Sequence, residues 1–154
     1  MDDYKRAYED VNLDVIKNNV DIIMKRTKPG TKALIVVKAD AYGHGDVPVA
    51  RALESRADYF AVATGPEAIN LRENGITKPI LILGFVAYEE YEDLINNDVD
   101  LVIFDKESAD ALSEAAKKIG KTAKCHVKVD TGMRRIGVEP VKESVEIVKY
   151  IKGL

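Results

Sequence analysis

Ala33-Leu34-Ile35-Val36-Val37-Lys38-Ala39-Asp40-Ala41-Tyr42-Gly43-His44-Gly45 runs from an apolar, β-branched stretch into a lysine and then into a glycine-flanked turn. The stretch predicts a short buried strand that presents Lys38 at its C-terminal end. Four further apolar runs follow, beginning near Tyr59 (YFAVA), Ile80 (ILIL), Leu101 (LVIF) and Cys125 (CHVKV), spaced 21 to 26 residues apart. Helical periodicity fills the gaps, so the chain reads as a repeated βα unit. Nearly continuous apolar strands predict a parallel sheet covered by helices. The α/β fold is then either an open doubly wound sheet or a (β/α) barrel, and repeat spacing alone does not choose.

The helices carry their own punctuation. Asn12 is placed to cap a helix with Leu13, Ile16, Val20 and Ile23 on one face, ended by the turn at Lys28-Pro29-Gly30. Thr64-Gly65-Pro66-Glu67 reads as a capping box with proline in the first turn, and Gly75 as the C-terminal glycine. Asp105 caps a helix with Ala109, Leu112, Ala116 and Ile119 inward and Gly120 as its stop. Pro140 opens a last helix with Val141, Val145 and Val148 inward.

The chemistry centres on Lys38. A lysine carried into a pocket can lose its proton, because desolvation disfavours the ammonium and lowers its pKa from about 10.4. The neutral amine is a nucleophile able to condense with an aldehyde. The plain alternative is a lysine whose stem covers apolar surface while its ammonium reaches water. Gly43 and Gly45 around His44 permit backbone conformations closed to other residues, so the turn can curl about a ligand.

The string VVKADAYGHG, residues 36–45, strongly resembles the pyridoxal-phosphate lysine motif of alanine racemases, usually VVKANAYGHG. A second segment, Cys125-His126-Val127-Lys128-Val129-Asp130-Thr131-Gly132-Met133-Arg134-Arg135-Ile136-Gly137, resembles the family's HxKxDTGMGRxG pattern. Weaker similarity runs through AYEDVNLDVIKNNV, GPEAINLRENGI and PILILG. The resemblance implies a (β/α)8 TIM-type barrel, of which this chain supplies about the first five strands. Lys38 and Lys128 lie toward strand ends and Arg135 in the following loop, the active face of such a barrel. Residues 1–154 then form the N-terminal part of a pyridoxal-phosphate-binding barrel domain. The family's second, β-rich C-terminal domain is absent, and the sequence reads as a truncated racemase with unpaired sheet edges. The ending Tyr150-Ile151-Lys152-Gly153-Leu154 reads as a helix running out toward a further strand.

The resemblance also implies roles. Lys38 carries the cofactor and is the base on one face of the substrate. Tyr42 bonds the cofactor phosphate. Arg135 contacts the cofactor's phenolic oxygen and the substrate carboxylate, a task that suits a planar, permanently charged fork. Lys128 matches a lysine that carries a carbamate in many members, an anion that can hold the arginine. The acid on the opposite face is a tyrosine from the β-rich domain of a partner subunit, and no position of this chain matches it. Without the resemblance, Tyr42 is a packed aromatic, Arg135 a solvated loop residue and Lys128 a strand lysine reaching for water. Arg134 departs from the family glycine between Met133 and Arg135, so the two arginines are open to sharing one role. His44 and His126 read as structural hydrogen-bonding groups, and Cys125 as a buried small hydrophobe.

The expected function is racemisation of L- and D-alanine for peptidoglycan precursors, by a homodimer. A serine or broad-specificity amino-acid racemase, or a fragment that binds pyridoxal phosphate without turnover, stands as the alternative. With a formal charge of −3 and scattered lysines, the chain has no dense basic stripe for nucleic acid. No apolar run approaches the roughly 20 residues of a membrane span. The polar start MDDYKRAYED is unlike a signal peptide, which makes the cytoplasm the expected compartment. One cysteine and two histidines offer no internal disulfide and no structural zinc cluster.

Overall fold

A computed structural model describes residues 8–154, and of Glu143 its backbone alone; the stretch 1–7, with most of the polar start discussed above, lies outside the described residues. All five expected strands form: β1 (Leu34–Val36), β2 (Tyr59–Val62), β3 (Ile80–Ile82), β4 (Val99–Ile103) and β5 (Cys125–Val127). They build one parallel sheet in the order β1-β2-β3-β4-β5. A doubly wound sheet reverses its strand order at a switch point. Here each strand is added on the same side of its predecessor, which is the progression of a (β/α) barrel.

Helices fill every crossover. α1 (Leu13–Lys25) precedes β1, and a single turn α2 (Lys38–Tyr42) with α3 (Asp46–Leu53) joins β1 to β2. α4 (Gly65–Glu73) leads to β3, a 3-10 turn (Tyr88–Glu90) and α5 (Tyr91–Asn96) lead to β4, and α6 (Lys106–Lys118) leads to β5. A 3-10 turn (Lys142–Ser144) and α7 (Val145–Lys152) follow. The caps act as read: the Asn12 side chain accepts from the N–H groups of Asp14 and Val15, and the Asp105 side chain from that of Ser108.

Strand alternation divides the sheet into two faces. Phe60, Val62, Ile80, Ile82, Val99, Leu101 and Ile103 point toward the helices and form the hydrophobic core with Leu53, Leu71, Leu94 and Leu112. The other face carries Ala61 and Leu81 beside a buried charge, Asp100, only 3% exposed. Tyr59 Oη donates to Asp100 Oδ2 at 2.9 Å, and His126 Nε2 lies 3.4 Å from the same oxygen. The tyrosine hydroxyl's bond to the carboxylate raises its pKa, so it stays a donor and keeps the buried acid satisfied.

The structure corrects several expectations. Cys125 is exposed, because β5 is an edge strand. Ile23 is also exposed, while Leu13, Ile16 and Val20 of α1 pack on the core. The last helix begins at Val145, not at Pro140. Val141, Val145 and Val148 are all exposed, and Ile151 makes the contact with the core. The valines follow a helical period, but the helix meets the body through Tyr150, whose hydroxyl donates to Asp110 and whose ring lies 4.9 Å from Lys106 Nζ.

Arg72 near the end of α4 ties three elements together. Its guanidinium donates to the backbone carbonyls of Ile76 (2.8 Å), Lys78 (2.7 Å), Asn97 (3.0 Å) and Asp98 (2.8 Å). A lysine ammonium cannot reproduce this planar fork. Arg72→Lys is expected to lower unfolding stability by about 2–4 kcal/mol, since several carbonyls lose a charged donor; urea denaturation of the two proteins measures it.

Candidate functional site at the C-terminal end of the sheet

The segment after β1 is a turn, as its glycines suggest, but its left-handed part begins before them. Ala39, Asp40, Ala41 and Tyr42 all take left-handed backbone angles, with φ of 52°, 54°, 50° and 57°. Each non-glycine residue so placed costs roughly 1–2 kcal/mol, and only the Asp is of a type that visits this region readily. Gly43 (φ 90°) and Gly45 (φ 84°) continue the positive angles. Lys38 therefore opens a left-handed turn beyond the strand instead of ending the strand itself, and it is half-buried there. Consecutive strained residues persist only where their surroundings over-determine them, and such strain gathers at functional sites.

The surroundings are specific. Val37 and Ala41 are buried beneath the turn, and Ala41 N–H donates to Val37 O at 3.0 Å. Asp40 O accepts from Gly43 and Gly45, each at 3.0 Å, and Asp40 Oδ1 accepts from Asp46 N–H at 2.9 Å, which joins the turn to the start of α3. His44 Nδ1 donates to Ala41 O at 2.9 Å, a structural bond as expected for this residue. Ala39 N–H donates to Glu67 Oε1 at 2.8 Å, from the first turn of α4. Tyr42 is exposed.

At the other edge of the sheet, Lys128 continues β5: its N–H donates to Ile103 O at 2.9 Å and its carbonyl accepts from Val138 N–H at 2.9 Å. The loop between folds around Asp130, whose Oδ1 accepts from the N–H groups of Gly132 (2.8 Å) and Arg134 (3.0 Å). These bonds hold the Asp130 carboxyl below the usual carboxylate range. A Cβ on Gly137 would lie 2.8 Å from Asp130 N, so glycine is required for the return of the chain. Arg135 is exposed on this loop. Arg134, also exposed, has φ 55°, which explains why a glycine suits the position.

Lys38 and Tyr42 thus stand beyond the C-terminal end of β1, and Lys128 and Arg135 beyond that of β5, at one end of the sheet but at its two opposite edges. Glu67 and the exposed Phe85 follow β2 and β3 at the same end. Neither belonged to the expected site. Glu67 was legible only as half of a capping box, and Phe85 carried no local signal beyond its aromatic ring.

A family profile described as alanine racemase, N-terminal domain, matches residues 11–154. The chain belongs to that family. An alanine racemase of Methanococcus maripaludis is 45% identical over 96% of this chain and 40% of its own length. Solved alanine racemases agree in structure. That of Clostridium difficile 630 has a TM-score of 0.86 and 44% identity over 93% of this chain and 37% of its own. The Bacillus anthracis enzyme, with bound L-Ala-P, has a TM-score of 0.82 and 41% identity, covering 97% of this chain and 40% of that one. The chain spans about 40% of the length of the curated racemases it matches. Membership in the alanine racemase N-terminal domain family agrees with the barrel progression of the sheet.

Within this family setting Arg134 stands out as strained. Arg134→Gly is expected to raise stability by up to about 1 kcal/mol, the relief of a left-handed side chain less the added entropy of the unfolded glycine. Chemical denaturation with an unchanged m-value checks it.

Proposed function

We propose that the chain is the cofactor-lysine-bearing N-terminal portion of a pyridoxal-phosphate-dependent alanine racemase that interconverts L- and D-alanine for peptidoglycan precursors. The observation that carries this reading is Lys38 on a strained left-handed turn at the C-terminal end of β1, in a chain of the alanine racemase N-terminal domain family. Active sites of (β/α) barrels occupy that end of the sheet. The full reading includes a β-rich second domain, a homodimer and a cytoplasmic location. Among the described residues no helix is long and apolar enough to cross a membrane.

The residues present fit pyridoxal phosphate. Lys38 offers a primary amine to an aldehyde, Tyr42 an exposed phenol to a phosphate, and Arg135 an exposed guanidinium to a phenolic oxygen and a carboxylate. When bound, the cofactor supplies an electron sink for negative charge at the substrate α-carbon. Lys38 Nζ takes the proton from one face of that carbon. The acid for the other face is assigned to a tyrosine of a partner subunit's second domain. Arg135 holds the substrate carboxylate with two parallel N–H donors. Lys128, as a carbamate, supplies the negative charge that keeps Arg135 in place. Lys128 is half-buried, and its backbone is bonded on both sides, to Ile103 and Val138.

Two outcomes follow from these roles. Pyridoxal phosphate added to the protein and reduced with borohydride is expected to leave its label on Lys38 alone, found by peptide mass; a normal cofactor absorbance in Lys38→Ala overturns the assignment. Arg135→Ala, in the protein carrying both domains, is expected to lower kcat/KM for alanine by roughly a hundredfold, the scale for removing a charged donor from a reacting centre. Unchanged racemisation in that variant transfers the role to Arg134.

A further inference from the structure

The strongest feature left unused by this reading is the Glu67 carboxylate. As the third residue of α4 it accepts from Thr64 N–H at 3.2 Å, the ordinary half of a capping box. The same Oε2 accepts from Ala63 N–H at 2.7 Å, at the end of β2, while Oε1 reaches across to Ala39 N–H at 2.8 Å. A cap needs only the first of these bonds. The bond to Ala39 spans 28 residues of sequence and falls on the peptide that directly follows Lys38.

We propose that Glu67 is a positioning residue for Lys38: its carboxylate fixes the plane of the Lys38–Ala39 peptide and thereby the direction in which the lysine leaves the backbone. The inference rests on the reading of Lys38 as the cofactor lysine. Rotation of that peptide plane is set by ψ of Lys38 and φ of Ala39, and Ala39 is the first residue of the left-handed turn, at φ 52°. An N–H held by a charged acceptor cannot swing without losing a short, charge-assisted bond. The opposite oxygen is anchored to the end of β2, so the restraint is referred to the sheet and not to a mobile side chain. Asp40 braces the far side of the same turn against α3, which leaves Glu67 as the brace on the lysine side.

The donor count makes the carboxylate necessary. Three N–H groups converge on Glu67, and all of its polar atoms accept. In Glu67→Gln one end becomes an NH2 group that faces an N–H; the oxygen keeps the two donors of Ala63 and Thr64, so Ala39 loses its partner. Thr64→Ala weakens the same helix cap yet touches neither Ala39 nor Ala63, and so isolates the plain structural contribution.

The experiment measures amide hydrogen exchange at Ala39 and the rate of borohydride-trapped pyridoxal phosphate capture at Lys38 in the wild type, Glu67→Gln and Thr64→Ala. Glu67→Gln is expected to lose protection at Ala39 and to slow capture by roughly tenfold to a hundredfold, the scale for a misplaced reacting group. Thr64→Ala is expected to retain both. Wild-type capture in Glu67→Gln, or equal slowing in Thr64→Ala, overturns the proposal. Should Glu67→Gln not fold, Glu67→Asp, which keeps the charge but falls a methylene short of Ala39, is read in the same way. Wild-type protein labelled elsewhere than Lys38 defeats the cofactor-lysine reading and the proposal's catalytic meaning. Loss of Ala39 protection in Glu67→Gln would then still show Glu67 fixing the peptide.

Discussion

Four successive non-glycine residues in left-handed conformation form the constraint on which the C-terminal end of β1 and the approach of α3 depend. A chain leaving β1 in the ordinary right-handed sense would carry Lys38 in a different direction and would bring α3 onto the sheet from a different angle. The cost of the turn is spread over Ala39 to Tyr42, and it is offset where the turn touches its neighbours. Val37 and Ala41 are packed below, Asp40 is bonded to the start of α3, and Glu67 holds the first N–H. The side chains of Ala39 and Ala41 are small enough to lie close to the turn's own backbone, whereas a β-branched residue would add to the strain.

The sheet supplies the reference frame for that turn. Its strands are added one after another in a single direction, so every βα loop emerges at the same end. The helix-facing side is wholly apolar, and the opposite side places a buried aspartate between a tyrosine and a histidine. The Asp100 carboxylate of β4 accepts from Tyr59 of β2, across β3, and lies beside His126 of the adjacent β5, so one buried group with its partners links three strands. The loop after β5 is organised differently. There a short polar side chain, Asp130, gathers backbone N–H groups, and a glycine allows the close return at residue 137. The result is a defined platform for two adjacent arginines at the edge opposite to Lys38.

What could be read from the residues alone was the local part. Strand positions, the caps at Asn12, Thr64 and Asp105 and the stops at Gly75 and Gly120 depend on residues within a few positions of one another, and their chemistry is the same in any fold. The resemblance carried by residues 36–45 and 125–137 likewise pointed to Lys38, Tyr42, Lys128 and Arg135, because long motifs with many matching positions identify a family without a structure. The exposed Val141, Val145 and Val148 mark the limit of such reasoning: period alone predicts which residues share a face, and not which face meets the body. Cys125 marks a second limit, since burial of a strand residue depends on whether the strand lies at an edge.

The sequence by itself therefore determined a βα repeat, its punctuation and a lysine close to the C-terminal end of the first strand. The tertiary structure bore out the barrel progression that the resemblance implied, and it alone decided that the lysine opens a left-handed turn and that Glu67 reaches that turn from α4. The physical reason is range. Propensity and capping act through bonds between near neighbours. Strained backbone, by contrast, is stable only when contacts from distant segments outweigh its cost, and such contacts exist only once the sheet has brought those segments together.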